Sequence, residues 1–216
     1  MKESFNNQIL TLLSFAGLIF LIFFFQLAPS SGINKQLVLF LFILICILGM
    51  MAAAYPQRCL SFMKMKSSGD SKSTGHHPEC EIYQNHTFTL NGRKYCIGCS
   101  GLFCGAVVGI ILSALYLVEM INSPQFFSVG IMLVYLSLLQ LSFLKLDNKV
   151  IKFSSNSGLV LGSTLLLLGI LEYKANLASY FLVLTCLWIY TRMTTSAEDH
   201  TRICNACPET ESCPHK

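Results

Sequence analysis

The spacing His77-x2-Cys80-x15-Cys96-x2-Cys99 places two chelating pairs in one polar stretch of the chain. Such pairs form the corners of a four-ligand zinc ribbon, where thiolate sulfur binds at about 2.3 Å and imidazole nitrogen at about 2.0 Å. Asn91-Gly92, flanked by alternating residues, predicts a two-residue hairpin turn. The strand after it carries Cys96 into the second pair, and Gly98 permits the tight turn that aims both thiolates at one point. His77 fits the fourth corner by spacing, and His86 and His76 are its alternatives. Four protein ligands would close the shell, which favours a structural over a catalytic metal. Residues 76–99 offer as a core only Ile82, Tyr83, Phe88, Leu90, Tyr95 and Ile97. A unit this small needs a metal, disulfides or a partner to fold.

A second set of thiols closes the chain. Cys204-x2-Cys207 repeats the chelating spacing, and Cys213 follows six residues later. His200, His215 or a residue of the earlier loop would complete a second cluster. Zinc is the expected metal for both clusters. An Fe–S cluster is the alternative, kept open by Cys213-Pro214. Cys46 and Cys186 lie in apolar stretches and read as small hydrophobic residues.

The elements that must position these residues are membrane helices. The chain has 216 residues, 53% of them hydrophobic and 12% charged, with a mean hydropathy of +0.58. A soluble domain carries about 25% charge. This balance excludes disorder, a coiled coil and a soluble enzyme of ordinary composition. About 20 apolar residues cross the hydrocarbon core. Uncharged windows of that order cover 8–28, 36–55, 100–118, 125–144, 153–171 and 175–191. The first exceeds the roughly 7–15 apolar residues of a signal peptide and reads as a retained helix. The fold class is therefore an all-α polytopic membrane protein with six transmembrane helices and a small zinc-ribbon-like β-hairpin loop.

Charge orients it. Of the 15 Lys and Arg residues, all but Lys35 and Lys174 fall on the side holding the N-terminus, the second loop, the fourth loop and the C-terminus. The positive-inside rule makes that side cytoplasmic, so both termini and the hairpin loop are expected inside. Reduced cytosolic thiols then favour metal over disulfides. The organisation reads as helices 1 and 2 in 1–55, a cytoplasmic loop with linker and Cys/His hairpin in 56–99, helices 3 to 6 in 100–193 and a Cys-rich tail in 194–216. The linker 67–75 is flexible by composition. Gly101, Gly105 and Gly109 recur every four residues and predict a ridge for close helix packing.

The window interiors hold no Asp, Glu, Lys, Arg or His, which argues against an ion-driven transporter. His-Glu-x2-His, Gly-x-Ser-x-Gly and a P-loop are absent from the sequence, so no catalytic residue is assigned. The basic residues of the loop suit the membrane surface rather than nucleic acid.

Cys80, His86 to Gly92, and Cys96-Ile97-Gly98-Cys99-Ser100-Gly101-x3-Gly105 together resemble an uncharacterised family of small prokaryotic polytopic membrane proteins. That family carries a Cys-His pair and then Cys-x-Arg-Cys-Thr-Gly-x3-Gly running into a helix. Here Glu81, Gly98 and Ser100 stand in place of its His, Arg and Thr. The resemblance spans about 30 residues and implies architecture and a metal-like motif, with no activity attached. Three functions compete. The leading one is a membrane scaffold or accessory protein whose metal module meets a cytosolic or membrane protein partner. The second is a redox or metal-handling protein. The third is a membrane enzyme acting on a lipid-like substrate.

Overall fold

The computed structural model of the chain describes residues 2–27, 34–54, 86–90, 93–121, 124–144, 146 and 148–206. Six helices are long and apolar enough to cross a membrane, with spans of 19 to 25 residues. They are α1 (Lys2–Leu27), α2 (Lys35–Ala54), α3 (Ile97–Leu117), α4 (Phe126–Leu139), α5 (Lys149–Tyr173) and α6 (Ala178–Ala206). A π-helical turn, Gln140–Leu144, extends α4, and a 3-10 turn, Ala175–Leu177, leads into α6. In hydrocarbon every backbone N–H and C=O needs an internal partner, so uncharged runs of this length become helices. Asparagine starts two of them. Asn34 Oδ1 accepts the Gln36 and Leu37 amides at 3.1 and 3.2 Å. Asn148 Oδ1 accepts Val150 at 2.9 Å and Ile151 at 3.4 Å. Each pair satisfies two orphan donors of a first turn.

The central helix is α5, packed on α3 along one face and on α4 along another. Small residues allow both approaches. A Cβ on Gly105 of α3 would stand 2.8 Å from the Ser157 carbonyl oxygen, and one on Gly109 would stand 2.6 Å from Thr164 Oγ1. The glycine ridge read from the sequence is thus the α3–α5 contact. On the other side, Gly130 of α4 and Gly162 of α5 each face the partner backbone at under 3 Å from where a Cβ would be. Lipid supplies no hydrophobic force to join two helices, so such close van der Waals contact must hold them.

Polar side chains stitch α1 to α6. Ser14 and Thr191 share a 2.9 Å hydrogen bond, the Trp188 indole donates to the Ser14 carbonyl at 3.3 Å, and the Tyr180 hydroxyl donates to the Gly17 carbonyl at 3.0 Å. Asn7 donates to Glu198 at 2.6 Å, which puts the start of α1 beside the end of α6. At the opposite end of the bundle, Tyr116 donates to Glu172 at 3.0 Å and Lys35 lies 3.9 Å from the same carboxylate.

Two strands, β1 (Thr87–Leu90) and β2 (Arg93–Cys96), pair antiparallel. Leu90 opposes Arg93, so two residues separate the strands, as Asn91-Gly92 predicts. The rings of Phe88 and Tyr95 stack across the pair, 5.7 Å between centroids. Strand side chains alternate between faces, so Cys96 lies on the face opposite Tyr95.

Two sequence readings change. Helix α6 runs on to Ala206, so the first part of the 194–216 segment, residues 194–206, is helical. No Gly or Pro interrupts that stretch, and Asp199 and Arg202 pair one turn apart at 3.6 Å. The spans also exceed the uncharged windows and take in charges toward their ends, among them Lys152 and Arg192. The last span, Ala175–Asp199, holds Arg192, which the window ending at 191 had left at the interface.

Candidate functional site at the hairpin end of the bundle

Strand β2 passes into α3 without a loop, with Cys96 as the residue that caps the helix. The Ser100 hydroxyl donates to the Cys96 carbonyl at 2.9 Å, which ties the junction to the first turn. Cys99 lies three residues further on, and its thiol meets that of Cys96 in a hydrogen bond. Both are half-buried and free of disulfide. Two sulfurs are therefore presented side by side by a rigid element, as Cys-x2-Cys at a strand–helix junction dictates. The Cys96 thiol titrates well above the ordinary thiol range. Its hydrogen bond to Cys99 is the largest cause and its withdrawal from water the next.

The groups that meet this pair were not among the residues singled out from the sequence. Arg192 reaches across from α6 and hydrogen-bonds Cys99. Its guanidinium also stands where a Cβ on Gly98 would approach to 3.0 Å. Asn156 of α5 is buried at 5% exposure and accepts the Arg192 Nε–H at 2.9 Å. Its own amide donates to the Lys152 carbonyl at 2.7 Å, which fixes the orientation that offers oxygen to the arginine. Gly98 thus has a second reason to be glycine, since a side chain there would meet the guanidinium. The cue in the sequence was an arginine one residue beyond an apolar window, next to a helix that carries an asparagine among serines and glycines.

Of the remaining predicted ligands, His86 has a described side chain, and it is engaged elsewhere. His86 directly precedes β1, and its Nε2 lies 3.0 Å from the Lys152 ammonium at the start of α5. His77, Cys80, Cys207 and Cys213 lie outside the described residues, and Cys204 falls in the closing turns of α6. Among the described residues, no three His, Cys, Asp or Glu side chains converge as a metal site. What the described residues supply is two adjacent thiols at a strand–helix junction.

A slender cavity of about 110 Å³ starts at Cys99 and Arg192 and runs along the helices. Its walls come from α2, α3, α5 and α6, and include Phe42, Cys46, Leu102, Leu159 and Trp188. A second, more polar cavity of about 400 Å³ lies between α1, the π-helical turn and α6, with Asn7, Thr11, Ser142 and Glu198 in its walls.

By helix length and hydropathy the chain is a multi-pass membrane protein, all-α but for one hairpin. No protein-family model, curated protein or solved structure matches it.

Proposed function

We propose that the chain is a non-enzymatic membrane scaffold or accessory protein whose hairpin carries a structural zinc. The reading is carried by one observation, the Cys96–Cys99 thiol pair held side by side where β2 enters α3. Cys80 and one histidine, His77 or His86, complete the four-ligand shell. The metal joins the hairpin to the helix and presents the exposed Phe88–Tyr95 face to a protein partner. The thirteen-residue basic bias sets the hairpin end in the cytoplasm, where thiols stay reduced. Cys204, Cys207 and Cys213 form a second zinc-capable cluster on the same side.

Metal analysis of the full chain purified under reducing, chelator-free conditions tests this. Zinc should be bound, Cys96→Ser should lower it, and Cys46→Ser, a change of a buried thiol in α2, should leave it unaltered. Equal zinc in wild type and Cys96→Ser removes the proposal. A redox reading is favoured by one feature, the Arg192 guanidinium beside the pair. Thiol oxidation would release two protons and two electrons to an acceptor of the quinone or disulfide class. Metal-free protein that cycles reversibly between dithiol and disulfide would select that reading instead.

A further inference from the structure

Arg192 is placed oddly for a structural residue. It lies within a membrane span, half-buried, seven residues inside the end of that span at Asp199. Charges there face the bundle interior or a cavity and mark functional sites. Among the described residues its guanidinium meets the Asn156 amide oxygen and the Cys99 thiol, and no carboxylate. Asn156 takes the Nε–H and Cys99 a further donor, and a guanidinium has five N–H groups, so donors remain for a ligand.

The cavity that begins at this cation has the shape and chemistry of a hydrocarbon slot. Along α6 its walls extend from Met193 back to Thr185, about 12 Å of helix at 1.5 Å per residue. Nearly all of the wall is apolar, with Arg192 and Cys99 at one end and Ser163 and Thr185 further along. Its outer rim is Gly49 and Ala52 of α2 and Ile189 of α6, all exposed. Gly49 and Ala52 lie five and two residues from the end of α2, and Ile189 lies ten residues inside the end of its span, so the rim opens to the bilayer within spanning segments. A Cβ on Gly49 would meet nothing within 4 Å. Helix α2 packs chiefly on α3 and touches α6 only lightly, which leaves the slot between them.

We infer that this slot seats the head-proximal part of one acyl chain of an anionic bilayer phospholipid, with its phosphate on Arg192 and the rest of the chain in the bilayer. A guanidinium recognises phosphate through paired N–H donors, and the apolar wall takes the chain. Entry from the membrane plane singles out a bilayer lipid over a soluble anion. The inference does not require zinc, although Cys99, a ligand in the zinc reading, lines the slot and meets Arg192.

The full chain, delipidated in mild detergent and presented with equal phosphatidylglycerol and phosphatidylcholine, tests this by native mass spectrometry. Wild type should retain one phosphatidylglycerol in preference. Arg192→Gln should reduce that preference about tenfold or more, the worth of one charge-assisted contact. Gly49→Leu, a change into open space that should spare the fold, should lower retention of both lipids. Lys35→Gln, at the far end of the bundle, should change nothing. Equal retention of the two lipids by wild type overturns the proposal, as does unaltered retention by Gly49→Leu. Oleate bound in the slot while phosphatidylglycerol is ignored overturns the bilayer source.

Discussion

Replacing Gly101 with alanine should loosen the bundle at the point that sets the thiol pair against Arg192. A Cβ there would stand 2.5 Å from the Phe153 carbonyl oxygen and 3.1 Å from Asn156 Cβ. The nearer atom belongs to the α5 backbone, so no side-chain rotation relieves the clash. Restoring an ordinary 3.4 Å contact requires α3 and α5 to part by about 0.9 Å at this level. Overpacking of this kind costs about 1–3 kcal/mol. For a chain of this length, about 2–4 °C of Tm accompanies each kcal/mol, so a fall of about 2–12 °C is expected. The helix-propensity gain of alanine over glycine, about 1 kcal/mol at most, offsets part of it. Thermal unfolding in detergent, followed by helical circular dichroism, measures the effect. Gly49→Ala is the control, because it makes the same chemical change into open space and should leave Tm level or raise it. If Gly101→Ala melts no lower than Gly49→Ala, close α3–α5 packing is not what holds this end together.

Three further outcomes are expected. Asn156→Leu removes the acceptor for Arg192 and should cost about 1–3 kcal/mol, whereas Asn156→Leu with Arg192→Met should cost less, since no unpaired cation is left; a double variant that melts below the single one contradicts this account. Accessibility labelling should place Lys35 and Ser68 on opposite sides of the membrane, in keeping with six spans whose first and last meet at Asn7 and Glu198; both labels on one side would break the topology. Deleting 204–216 should reduce bound zinc per chain while helical dichroism stays near wild type, because the spans end before Cys204; unchanged zinc would strip the terminal cysteines of a metal role.

The six helices were legible in the residues because a membrane span is a one-dimensional property. Twenty uncharged residues satisfy their backbone internally whatever their neighbours are. The hairpin was legible for a similar reason, since Asn91-Gly92 fixes a local turn and Leu90 opposite Arg93 follows from it. The glycine ridge announced close packing, but which helix fills it depends on the assembly, and α5 does so with its own small residues. Local sequence also placed Cys96 beside Cys99, because three residues across a strand–helix junction bring two thiols together in any fold. Arg192 and Asn156 are different. They lie 36 positions apart on two helices, and each reads alone as an ordinary interfacial or packing residue. Only the packing of α6 against α3 and α5 brings the guanidinium to the thiols and opens a slot beside it. The end of α6 was hidden for the opposite reason, since a window based on hydropathy stops where charge begins, whereas a helix stops only where its hydrogen-bonded turns do.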